Sequence, residues 1–146
     1  KKNFIAEATM SRRIARETAL QVLYQIEMTG EAEKFSQIIE HWATEFALSS
    51  KSSEFVRTLV EGTLRHKKEI DAKLSSTAHD WALERMSAVD RNLMRLAIYE
   101  MLYDKQTPQR VIINEAIEIA KKFGGDDSSR FINGILDKFL DPAERS

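Results

Sequence analysis

Along most of this chain the apolar residues return every three or four positions, the helical period. No stretch sustains the two-residue alternation with β-branched enrichment that a half-buried strand needs. Helices packed on helices are then the available way to bury a core, and the chain reads as all-α. Glycine and proline support this, because the five Gly and two Pro fall mostly where helices would end. Gly30 closes a first segment, Pro108 opens a late one, Gly124 and Gly125 close it, and Pro142 follows the last apolar residue, Leu140. Gly62 and Gly134 lie inside helical patterns, where glycine costs about 0.5 to 1 kcal/mol relative to alanine, so both are read as sites of close helix packing.

The pattern predicts helices over about 11–28, 33–48, 52–75, 88–104, 109–123 and 128–140, with a short turn near 79–85. The expected architecture is a single-domain bundle of about seven helices. Ser87 followed by Asp90 looks like a variant capping box, Pro108 suits a first helical turn, and Asp126, Asp127, Ser128 and Ser129 offer N-caps after the glycine pair. Residues 1–10 are expected to be a flexible arm or an added remnant before the helical domain of 11–140, and 141–146 a C-terminal tail.

With 146 residues, one core is the working assumption. The formal charge of −1 and the 42% apolar content suit a globular protein and indicate no partner by bulk charge. The absence of cysteine excludes disulfides, a thiolate nucleophile and Cys-ligated zinc, and no apolar run is long enough for a membrane span or a secretory signal. A cytoplasmic location is expected, with no membrane partner.

Near-neutrality conceals segregation. Residues 1–25 carry five basic and two acidic side chains, whereas 26–49 carry five acidic and one basic. Such an alternation can give one small protein a basic face for a polyanion and an acidic face for a basic partner. On the first helix Arg12, Arg16, Leu20 and Tyr24 fall on one ridge at i+4 steps with Arg13 beside them, next to a stripe of Ala15, Ala19, Val22, Leu23 and Ile26. Guanidiniums and a phenol on one edge suit the phosphates and bases of single-stranded RNA, although the spacing equally fits a solvated basic face. Near the C-terminus Phe131 stands at the margin of the stripe of Ile132, Ile135, Leu136 and Phe139. Arg130 is beside it and Gly134 opens a gap over its ring, so it could meet a base or be a peripheral core aromatic.

Catalytic signatures are lacking. His41, His66 and His79 have no i, i+4 pairing for a metal, and there is no phosphate-binding glycine loop, dinucleotide fingerprint or Gly-x-Ser-x-Gly. Helix capping accounts for the Gly-Gly-Asp-Asp-Ser-Ser run at 124–129, so the chain is read as a non-enzyme without a cofactor or metal.

Four ordered segments carry a resemblance. Ser-Arg-Arg-Ile-Ala-Arg-Glu-Thr-Ala-Leu-Gln-Val-Leu-Tyr-Gln (11–25), Val-Asp-Arg-Asn-Leu-Met-Arg-Leu-Ala-Ile-Tyr-Glu (89–100), Val-Ile-Ile-Asn-Glu-Ala-Ile-Glu-Ile-Ala-Lys-Lys-Phe-Gly (111–124) and Phe-Ile-Asn-Gly-Ile-Leu-Asp-Lys (131–138) together resemble the NusB family of bacterial transcription antitermination factors. The resemblance spans about 11–140. It implies two packed helical subdomains, binding to the boxA element of ribosomal RNA transcripts, partnership with ribosomal protein NusE, indirect contact with other Nus factors and RNA polymerase, and no catalysis. Carried over residue by residue, it implies RNA contacts for Arg12, Arg13, Arg16, Tyr24, Arg130 and Phe131. It also implies a NusE surface at or near Glu84, Asp90 and Asp127. Ile14 interrupts a longer arginine run found in some members, which implies a lower RNA affinity here. Residues 26–52 match no motif, and homodimerisation is left open because members of the family occur as monomers and dimers. Two other readings stand beside this one, a helical protein-interaction module without RNA affinity and the N-terminal part of an RNA cytosine methyltransferase, which the same helical domain resembles.

Overall fold

A glycine in the left-handed region ends the first helix. Gly30 adopts φ 73° and its N–H returns to the Ile26 carbonyl at 2.8 Å, a conformation in which a β-carbon would be strained. The computed structural model describes residues 2–144, with side chains from Met10 onward, and these residues are helices, turns and loops without a strand. They form two units divided at Gly62, within the third helix.

The first unit contains α1 (Lys2–Thr29), a 3-10 turn (Ala32–Lys34), α2 (Phe35–Glu45) and most of α3 (Ser50–Arg65). The stripe expected on the first helix is buried, with Ala15, Ala19 and Val22 fully so and Leu20, Leu23 and Ile26 nearly so. Ile38 and Ile39 of α2 and Val56, Leu59 and Val60 of α3 are buried as well. α1 packs on α2, and Trp42 Nε1 donates to Gln25 Oε1 at 2.8 Å to tie the two together. α2 stops earlier than its periodicity suggests because Ala47 takes φ 52°, with the Leu48 N–H reaching back to the Ala43 carbonyl. Ser49 Oγ then caps α3 by accepting from the Ser52 N–H at 3.1 Å.

The second unit follows with α4 (Lys67–Thr77), a 3-10 turn (Leu83–Arg85), α5 (Ala88–Tyr99) continued by a π turn (Glu100–Asp104), α6 (Gln109–Phe123) and α7 (Ser128–Leu136). 3-10 turns at Asp137–Phe139 and Pro142–Glu144 follow. α5 is its central helix, buried from Asn92 to Tyr99 and packed against α4, α6 and α7. Its large apolar side chains, with Ile112, Ile113 and Ile119 of α6 and Ile132 and Leu136 of α7, make the core. Each such side chain contributes about 1.5 to 3 kcal/mol by leaving water.

Arg95, 6% exposed, is held within this core by a two-pronged pair with Asp71, Nε to Oδ1 at 2.7 Å and NH2 to Oδ2 at 3.0 Å, and NH1 donates to Asn92 Oδ1. Arg91 NH1 donates to the carbonyls of Leu83 and Met86 and fixes the 3-10 turn before α5. Gln109 grips both sides of its own helix, donating to the Met101 carbonyl and accepting from the Asp141 N–H.

Several expectations are corrected. The first helix begins at Lys2 rather than near residue 11. The helix expected over 52–75 breaks at His66 (φ −102°, ψ 11°), although no proline or glycine stands there. The His66 ring stacks on Tyr103 at 4.1 Å and on Tyr99 at 6.1 Å, so tertiary stacking accompanies the break where no local breaker stands. α7 tightens to 3-10 geometry after Leu136. Gly62 is buried, but Gly134 is not a close-packing site, since a β-carbon there would meet nothing within 4 Å. The close approach is at Gly124, where a β-carbon would lie 2.5 Å from the Ser128 side chain.

Candidate nucleic-acid interface

In the first unit the arginine ridge is organised by a residue outside its helix. The Arg12 guanidinium lies 4.3 Å from the centroid of the Phe55 ring on α3, and that of Arg16 lies 5.4 Å from the same ring. A cation over an aromatic face gains about 0.5 to 1 kcal/mol at an exposed site and more when desolvated. Arg12 is exposed, Arg13 half-buried and Tyr24 exposed, as the ridge requires. Arg16 departs from it. At 5% exposure it is buried, as is Leu20, so the i+4 row passes from solvent into the core and back out at Tyr24.

In the second unit Phe131 is half-buried at the core margin, as its position beside the α7 stripe implies. Trp81, in the loop after α4, meets its ring edge-on with centroids 5.6 Å apart and planes at 72°. Both rings line two adjoining cavities of about 380 Å³ each. One is walled by His79, Arg130 and Lys138 with the bare backbone of Gly134, so the open space expected near Phe131 is present. The other holds Asp90, Asp127, Arg85 and Met86.

Asp90 and Asp127, separated by 37 positions, thus share one cavity. Ser87 Oγ accepts from the Asp90 N–H at 3.1 Å, which is the expected N-cap. The reciprocal half of the capping box is not seen at Asp90 Oδ1, which is buried and meets no hydrogen-bond donor among the described residues. Asp127 occupies the N-cap position of α7 without a side-chain cap, while Ser128 Oγ accepts from the Gly125 N–H at 2.9 Å. Glu84 is exposed on the 3-10 turn and does not line this cavity. Among the described residues no group of His, Cys, Asp and Glu is placed to hold a metal ion, and no helix is long and apolar enough to cross a membrane.

The model of the NusB family matches residues 13–141. The chain belongs to the NusB family. It is 55% identical over 136 residues to the transcription antitermination protein NusB of Desulfitobacterium hafniense, covering 93% of this chain and 92% of that one. The fold superposes on NusB of T. maritima with a TM-score of 0.80 at 40% identity, covering 87% and 88% of the two chains. It also superposes, at 0.80 and 25% identity over 88% and 95%, on NusB in a crystal structure of the antitermination factors NusB and NusE in complex with dsRNA. The all-α fold expected from periodicity is therefore the NusB fold.

Trp81 and Phe55 adjoin the expected site residues, and the sequence alone did not single them out. A tryptophan in a polar loop, outside any helical stripe, was the signal available for Trp81. Phe55 gave none, because its role depends on the guanidiniums brought to it.

Proposed function

We propose that this protein is a transcription antitermination factor that binds the boxA element of ribosomal RNA transcripts together with ribosomal protein NusE and so promotes read-through by RNA polymerase. Family membership carries the proposal, and the superposition on NusB in its complex with NusE and RNA supports it. In this reading Arg12, Arg13, Arg16 and Tyr24 of the first unit contact RNA, and Arg130 and Phe131 do so in the second. Phosphate contacts give affinity and register while a few base contacts select the sequence. Asp90 and Asp127, with Glu84 nearby in sequence to the Arg85 wall, supply the NusE surface. The buried Asp90 carboxylate would accept a hydrogen bond or cation from the partner, because an unmet buried acceptor costs about 1 to 3 kcal/mol until one arrives.

The protein acts without catalysis, in the cytoplasm where transcripts are made. Because both partners hold the same RNA, NusE raises the apparent RNA affinity and RNA raises that for NusE by the same factor. The test is transcription through a terminator downstream of boxA with NusE and the other Nus factors present. Adding this protein should raise read-through on the boxA template and not on one with boxA scrambled. Equal read-through on both templates would refute the assignment.

A further inference from the structure

Trp81, one of two tryptophans, is 51% exposed, an unusual state for so large an apolar side chain. It is nonetheless held in place. Its backbone N–H closes a turn onto the Ala78 carbonyl at 3.1 Å, and its ring is met edge-on by Phe131. An indole braced by one neighbouring ring, with half its surface in water, offers a flat face to whatever stacks on it. The cavity beside it, about 380 Å³, lies in the range of pockets that seat small planar ligands, roughly 300 to 1,000 Å³. Arg130 and Lys138 line that cavity with His79, against one carboxylate, Asp80. The second cavity lined by the same two rings carries two carboxylates, Asp90 and Asp127, against one cation, Arg85. The Trp81–Phe131 pair therefore lines both a basic cavity and an acidic one.

We infer that the basic cavity is a nucleobase pocket, in which one base of a single-stranded RNA stacks on the Trp81 indole against Phe131 while Arg130 and Lys138 face the flanking phosphates. This rests on the proposed RNA-binding function and adds Trp81 and Lys138 to its contacts. Charge selects the occupant. A planar, uncharged ring carried on a polyanion matches an aromatic wall with cations at its rim, whereas an acidic protein segment would bring no stacking group and a basic one would be repelled. Gly134 keeps the cavity open, since any side chain there would project into solvent space on the face that Phe131 lines.

The experiment is titration of the full protein with a single-stranded boxA-type RNA, followed by tryptophan fluorescence and by anisotropy, for the parent, Trp81→Ala and Trp81→Phe, with NusE affinity measured beside it. Stacking should quench the parent's emission. The quench should disappear in Trp81→Phe, which keeps affinity within about threefold, and Trp81→Ala should weaken RNA binding by about tenfold, well beyond any effect on NusE affinity. Parent binding without a Trp81-dependent quench, and with Trp81→Ala as tight as the parent, would overturn the pocket and leave the RNA-binding function standing. Loss of NusE affinity in Trp81→Ala with RNA affinity intact would assign the ring to the protein partner. Failure of the parent to bind RNA would overturn both.

Discussion

The Arg12 guanidinium stands 4.3 Å over the ring of Phe55, a residue 43 positions later in the chain, and Arg16 lies over the same ring at 5.4 Å. One aromatic side chain thus organises two of the cations assigned to RNA. Charge and positioning are separable here. Arg12→Ala should lower the dependence of log K on log salt by about 0.7, one phosphate contact on a single strand. Phe55→Leu keeps every charge and should leave that slope alone while weakening affinity about two- to fivefold, the equivalent of about 0.5 to 1 kcal/mol of lost stacking. Anisotropy titrations at several salt concentrations read both quantities.

Asp90 separates partner binding from folding stability. Its Oδ1 is buried and meets no donor among the described residues, whereas its N–H is already capped by Ser87. Asp90→Ala removes that unmet acceptor and also a favourable charge in the first turn of α5. Folding stability should therefore stay within about 1 kcal/mol of the parent. NusE binding should fall by tenfold or more in calorimetry. Equal NusE affinity would remove Asp90 from the partner surface.

Much of this was legible in the sequence because it depends on local period. The stripes of α1, α5, α6 and α7 bury as the three-and-four spacing requires, and Gly30 and Ser87 act as their residue types dictate. The four motifs carried the NusB-family resemblance, which the family model bears out over residues 13–141. What stayed hidden depends on contacts distant in sequence. Arg16 reads as solvent-facing from its i+4 row, yet it is buried over Phe55. The break at His66 accompanies stacking on Tyr99 and Tyr103, more than 30 positions away. Periodicity carries no information about such partners.

The Arg95–Asp71 pair should be structural. Arg95 is nearly fully buried, so Asp71→Ala removes a two-pronged carboxylate partner from a desolvated cation. Because the Asp71 side chain retains 21% exposure, the loss is set below that of a fully buried pair, at about 2 kcal/mol in denaturant unfolding. RNA affinity of the folded fraction should not change.

Tyr103 predicts an alkaline effect. Burial, then the charge of Glu69 and a hydrogen bond to it, raise its pKa above the ordinary tyrosine value. The folded state thus retains a proton that the unfolded chain releases. The contribution to stability is present below the unfolded pKa of about 10 and is lost as pH rises above it. Thermal melts of Tyr103→Phe should fall less steeply than the parent's above that pH, and parallel curves would contradict the assignment.

Gly134 offers a stabilising change with a functional limit. It sits in α7 with open space where a β-carbon would go, so Gly134→Ala should stabilise by about 0.5 kcal/mol. Gly134→Leu, which reaches across the face lined by Phe131, should instead weaken RNA binding, as anisotropy would show.

The most direct test of the account is anisotropy of a labelled boxA RNA with this protein, with and without NusE, at two salt concentrations and beside a scrambled strand and a duplex. Binding should prefer boxA over the scrambled strand, weaken steeply with salt and tighten when NusE is added. Equal affinity for boxA and scrambled RNA, unmoved by NusE, would contradict it.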